Sequence, residues 1–139
     1  MDTSSFLKLF FKEPESPAVR QEVFTTPKVI ISSLVEFEGR NQLQASRLGG
    51  DYNEKSYQGF LLRIESLKDT DPFDFRKLAG TLFETAIQQV QDAHNLYLRS
   101  MDRLHLAAME ELGIRRLITN DFKQAEAAQA KGFEVVVPE

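Results

Sequence analysis

Residues Leu98–Val137, LRSMDRLHLAAMEELGIRRLITNDFKQAEAAQAKGFEVVV, alternate between two periodicities. Residues 101–112 carry apolar side chains at helical spacing and stop at Gly113. Residues 115–119 form a short β-branched run, and 122–131 return to a helical pattern that stops at Gly132. Residues 133–137, FEVVV, read as a second strand. Strands separated by helical segments predict a parallel sheet covered by helices. In such sheets a site forms beyond the carboxyl ends of the strands. Two aspartates sit at the joints, Asp102 in the first turn of one helix and Asp121 between a strand and the next helix.

The preceding chain continues the same alternation. Residues 76–94 predict one helix with Leu78, Leu82, Ala86, Val90 and Ala93 as its apolar stripe, and LYLR links it to the helix at 101. DTDPFDF (69–75) is a turn leading into a short strand around Phe73 and Phe75. Helices are expected over 33–48, ending at Gly49-Gly50, and over 52–67. Ser33 and Glu36 have capping-box spacing. KVIIS (28–32) reads as a buried strand, and 3–12 and 17–24 as short helices. No composition shift or linker interrupts residues 1–139, so the chain reads as a single domain.

The totals exclude several functions. The 139 residues suffice for one core, and 42% hydrophobic with 27% charged residues is ordinary globular composition. No apolar run is long enough to span a membrane, and no basic segment introduces a signal peptide. There is no cysteine. Disulfides, thiolate metal sites and cysteine nucleophiles are therefore excluded, and a reducing cytoplasm is expected. The net charge of −4 argues against a non-specific nucleic-acid binder, though not against an enzyme whose acids hold a metal. His94 closes a helix, and His105 reads as a structural or exposed histidine.

Among 21 acidic residues, helical geometry favours Glu38. It shares one side of its helix with Leu34, Asn41, Ala45 and Leu48, a stripe expected to face inward, whereas Glu36 points elsewhere. Leu43 points away from this stripe. A carboxylate facing inward requires a partner, a proton or a metal. The ordinary roles of the other acids are helix caps: Asp121 with Gln124 as its capping-box partner, Asp102 at the helix dipole, and Asp2 before helix 3–12.

Four segments in order, MDTSSFLKLFFKE, ISSLVEFEGRNQL, LRSMDRLHLAAMEELG and LITNDFKQAEAAQAKGFEVV, resemble the PIN-domain ribonucleases, especially the VapC-like toxins of toxin–antitoxin pairs. The resemblance implies a three-layer α/β/α fold with a short parallel sheet. It also implies a metal-dependent endoribonuclease that uses Mg²⁺ or Mn²⁺ and an activated water. The family's acids fall on Asp2, Glu38, Asp102 and Asp121, with supporting hydroxyls at Ser4 and Thr119. Arg40 matches a basic position that would touch RNA phosphate. Crowded carboxylates would leave at least one with a raised pKa in the absence of metal. An antitoxin protein and a homodimer are the implied partners, with the apolar faces of 3–12 and 33–67 as contact surfaces.

Two features depart from the family. Arg103 replaces a small or apolar residue. Only Met1 precedes Asp2, where the family has an apolar strand, so either the true start lies upstream of Met1 or the first strand is missing or truncated. A missing strand predicts an open slot in the sheet, a loosely held Asp2 and a weakened metal site. The alternative function is a PIN-like interaction module that has lost activity, and a third possibility is a nuclease acting on DNA.

Overall fold

The computed structural model describes residues 1–92 and 97–139. The elements run α1 (Thr3–Leu7), α2 (Ser16–Thr25), β1 (Val29–Ser32), α3 (Ser33–Leu48), α4 (Glu54–Leu67), β2 (Phe73–Arg76), α5 (Leu82–Asp92), α6 (Ser100–Glu111), β3 (Arg116–Ile118), α7 (Phe122–Ala130) and β4 (Glu134–Val136). The fold is α/β with parallel strands, as expected.

The strands form two separate parallel pairs. Strand β1 pairs with β2 from Val29–Phe73 to Ser32–Arg76. Strand β3 pairs with β4 from Arg116–Glu134 to Ile118–Val136. Between the two pairs lies a slot. Met1 and Asp2 bridge it: the Met1 ammonium donates to the Ile30 carbonyl at 3.3 Å, and the Asp2 amide donates to the Ile118 carbonyl at 3.0 Å. A void of about 20 Å³ remains beside them, lined by Met1, Ile30, Val35, Met109 and Leu117 among others. Burial lowers the Met1 amine below its ordinary value, and the nearby Asp2 charge opposes that shift.

The expectation of a loose Asp2 is therefore corrected. Its side chain caps α1, accepting from the Ser5 amide at 3.0 Å, and the residue is 5% exposed. Two backbone bonds across the slot and one cap do the anchoring.

The main core joins α1 to α4 with the first strand pair, through Phe6, Phe10, Val23, Ile31, Leu43 and Ile64. A second cluster joins α6, β3 and α7 through Leu106, Met109, Leu117, Ala127 and Phe133. A third packs Leu82 and Ala86 of α5 against Ala107 and Ala108 of α6, where small side chains permit close helix approach.

Several sequence expectations shift. Helix 3–12 is shorter, and its Phe6, Leu7, Leu9 and Phe10 are buried in the core rather than presented as a partner surface. Helix 76–94 begins only at Leu82, because Arg76 is held in β2 and the Leu78 amide donates to Ser33 Oγ at 3.1 Å. Its buried residues are Leu82, Ala86 and Gln89, whereas Val90 is exposed. Ala93 and His94 lie outside the described residues. Ser32, not Ser33, caps α3, accepting from the Val35 amide at 3.3 Å.

The inward stripe of α3 is also different. Val35, Gly39 and Leu43 are buried, while Asn41, Ala45 and Leu48 are exposed. The stripe is set by α1, which packs so closely that a Cβ on Gly39 would lie 3.2 Å from the Phe6 ring. Glu38 adjoins this face, half-buried, instead of lying at the centre of an apolar stripe.

Candidate metal and nuclease site

The four acids come from four places in the chain and line one cavity of about 330 Å³, together with Thr3, Ser4, Gln42, Arg99, His105 and Gln124. Asp2 and Asp121 flank the carboxyl end of β3, Glu38 lies in the second turn of α3, and Asp102 is in the first turn of α6. This is the sheet end where α/β folds place their sites.

Asp2 is fixed by hydroxyls. Ser4 Oγ donates to its two oxygens at 2.9 and 3.1 Å, and Thr119 Oγ1 donates to Oδ2. Thr119 Oγ1 also accepts from the Asp121 amide at 3.0 Å, so one buried hydroxyl ties two of the acids together. Both residues expected to support the acids are in contact with Asp2.

Asp121 divides its oxygens between two tasks. Oδ1 caps α7, accepting from the Lys123 amide at 2.9 Å and the Gln124 amide at 3.1 Å. Oδ2 faces the cavity and Arg99. The cap and the site are compatible because each uses a different oxygen. Gln124 does not complete a capping box: its Nε2 donates to the Asp102 carbonyl at 3.1 Å. Its Oε1 is buried and has no hydrogen-bond partner among the described residues.

Glu38 Oε1 lies 3.1 Å from His105 Nε2, and Thr3 Oγ1 lies 3.5 Å from the same nitrogen. A carboxylate only accepts, so Nε2 carries the proton toward Glu38. This hydrogen bond, more than any other cause, holds Glu38 below the usual carboxylate range; burial opposes it, and Thr3 and the Arg99 charge assist. At Glu38 the His105 hydrogen bond, with Thr3 and the Arg99 charge, thus outweighs the burial that would raise a carboxylate.

Arg99 lies at the N-cap position of α6. Its Nε donates to Asp102 Oδ2 at 2.9 Å, and its Nη2 to Asp121 Oδ2 at 3.4 Å. Those acids, Asp102 above all, raise the guanidinium's already high pKa. Arg40 is placed elsewhere: it pairs with Glu36 at 3.0 Å and with Glu65, and it does not line the cavity. Arg103 is buried in α6.

Among the described residues, no three histidine or acidic side chains stand close enough to close on one ion. The donor chemistry nevertheless fits a hard divalent cation. Four acidic residues line one cavity, and Gln124, which also lines it, has a buried amide oxygen with no hydrogen-bond partner among the described residues.

Sequence reasoning missed His105 and Arg99. His105 lies one turn from Asp102 on the same helix, a spacing that puts both on one face. Arg99 carried no comparable signal, because a link between helices does not reveal where its side chains converge.

The chain belongs to the PIN domain family, whose model matches residues 1–130. It is similar to Ribonuclease VapC46 of Mycobacterium tuberculosis (strain ATCC 25618 / H37Rv), with 30% identity over 141 residues, covering 99% of this chain and 95% of that protein.

Proposed function

We propose that this protein is a divalent-metal-dependent endoribonuclease acting as the toxin of a toxin–antitoxin pair. The observation that carries the proposal is the single cavity lined by Asp2, Glu38, Asp102 and Asp121 in a chain of the PIN domain family. The similarity to a protein named a ribonuclease supports RNA as the substrate. Residues 1–139 act as one domain.

Asp2, Glu38, Asp102 and Asp121 are the groups that hold Mg²⁺ or Mn²⁺, since both ions prefer oxygen ligands. When bound, the cation supplies Lewis acidity and an acidified water for attack at phosphorus. The protein's own part is orientation. Ser4 and Thr119 aim the Asp2 carboxylate, His105 aims Glu38, and the α7 cap leaves Asp121 Oδ2 directed into the cavity. No side-chain nucleophile is required.

The partner is an antitoxin, and a second copy completes a homodimer. The surfaces available to them are the exposed apolar side chains Phe37, Leu48 and Leu62 of α3 and α4, and Phe83, Ile87 and Val90 of α5. Phe83, Ile87 and Val90 have helical spacing and share one face. Among the described residues, no helix is long and apolar enough to cross a membrane. The cytoplasm, where RNA and antitoxin are made, is the proposed location.

Single-stranded RNA and single-stranded DNA of one sequence, incubated with the protein and Mn²⁺, test the proposal. RNA is expected to be cut, chelation to abolish cutting, and DNA to survive. Preferential DNA cleavage would replace the substrate. Neither cleavage nor a metal-dependent rise in melting temperature would leave an interaction module.

A further inference from the structure

Among the described residues lining the acid cavity, Arg99 is the sole guanidinium or ammonium side chain. It binds two of the cavity's four carboxylates at once, through different nitrogens. Yet its side chain is 71% exposed. An ion pair so open to water contributes little to stability. The arrangement therefore has weak standing as a structural clamp.

Its chemistry points to an exchange of partners. A divalent cation at Asp102 and Asp121 would need the oxygens that Arg99 now occupies, and two cations cannot share them without repulsion. The guanidinium fork matches carboxylate and phosphate equally well, and it stays charged throughout. A polyanionic RNA approaching four carboxylates needs a positive group at their rim. Arg40 does not line the cavity and is engaged by Glu36 and Glu65.

We infer that Arg99 is the phosphate-binding residue of the site, parked on Asp102 and Asp121 until a divalent cation takes those carboxylates. Arg99 competes with the metal in the free protein and grips an RNA phosphate oxygen in the loaded one. This inference rests on the proposed nuclease function.

Wild type, Arg99→Ala and Arg99→Lys separate the two. Mn²⁺ affinity is measured by calorimetry without RNA, at low ionic strength. KM for a single-stranded RNA is then measured at saturating Mn²⁺. Arg99→Ala is expected to bind Mn²⁺ about two- to fivefold more tightly, the scale of an exposed ion pair. Its KM for RNA is expected to rise about tenfold, on the order of one lost charged hydrogen bond. Arg99→Lys, which keeps the charge but not the fork, is expected between them on both measures. Unchanged or weaker Mn²⁺ binding by Arg99→Ala overturns the inference, and so does an unchanged KM. If wild type binds Mn²⁺ and cuts RNA while Arg99→Ala behaves identically, the inference alone falls. If wild type neither binds Mn²⁺ nor cuts RNA, the site assignment falls with it.

Discussion

At the level of single residues, His105 gives Glu38 its direction. Removing the imidazole should free the carboxylate and weaken metal binding. His105→Ala is expected to lower Mn²⁺ affinity about tenfold, at the lower edge of losses seen when a metal ligand loses its orienting partner. His105→Gln, which retains an N–H donor, is expected to lose less; equal losses in the two variants would contradict an orienting role. The depressed pKa of Glu38 has a pH consequence in metal-free protein. A carboxylate lowered on folding adds stability above its unfolded pKa and loses it as pH falls through the folded value. Urea unfolding in chelator should therefore show wild type gaining over Glu38→Gln near about pH 6, with the gain fading below about pH 4. A gain that grows on acidification has the wrong sign. Asp102 and Asp121 were legible in the sequence because both stand at joints between elements. Glu38 was singled out by its place on the helix, but from a misjudged stripe. Its neighbour Gly39, rather than Glu38 itself, marks the buried face. His105 was visible at one turn from Asp102 and discounted because a lone histidine has many ordinary roles. Arg99 became legible only when the fold brought α6 beside α7.

At the level of elements, the contact between α1 and α3 positions both Asp2 and Glu38. It depends on Gly39, where a Cβ would come within 3.2 Å of the fully buried Phe6 ring. That ring cannot easily yield, since it meets Phe10 at 5.2 Å and Phe75 at 6.5 Å between centroids. Alanine is a better helix former than glycine by about 1 kcal/mol, but overpacking costs about 1–3 kcal/mol. Gly39→Ala is accordingly expected to lower stability. Gly59 in α4, with nothing within 4 Å of its Cβ position, is the control. Gly59→Ala should stabilise by up to about 1 kcal/mol in the same urea measurement. Equal stabilisation at both sites would show that α1 does not press on α3. Element boundaries were less legible than element types. Residues 76–81 suit a helix locally, yet pairing of Arg76 in β2 and the Ser33 hydroxyl bound to Leu78 hold the chain out of one. Such long-range bonds leave no local periodicity.

At the level of the whole molecule, the split sheet and the acid cavity share one junction. Met1 and Asp2 connect the two strand pairs, and Asp2 is also an acid of the site. The backbone bonds that secure Met1 and Asp2 depend on the carbonyls of Ile30 and Ile118 and required the assembled fold. If the acids bind one cation together, Mn²⁺ should raise the melting temperature of wild type and not that of Asp102→Asn. The most direct test of the proposed function is cleavage of a single-stranded RNA by wild type and Asp102→Asn, side by side in Mn²⁺. The Asp102 carboxylate should be indispensable, so wild type is expected to cut and the variant to be slower by about a hundredfold or more, on the scale of removing a group that organises the reacting charge. Cleavage by Asp102→Asn at the wild-type rate would contradict the assignment of this cavity as the active site.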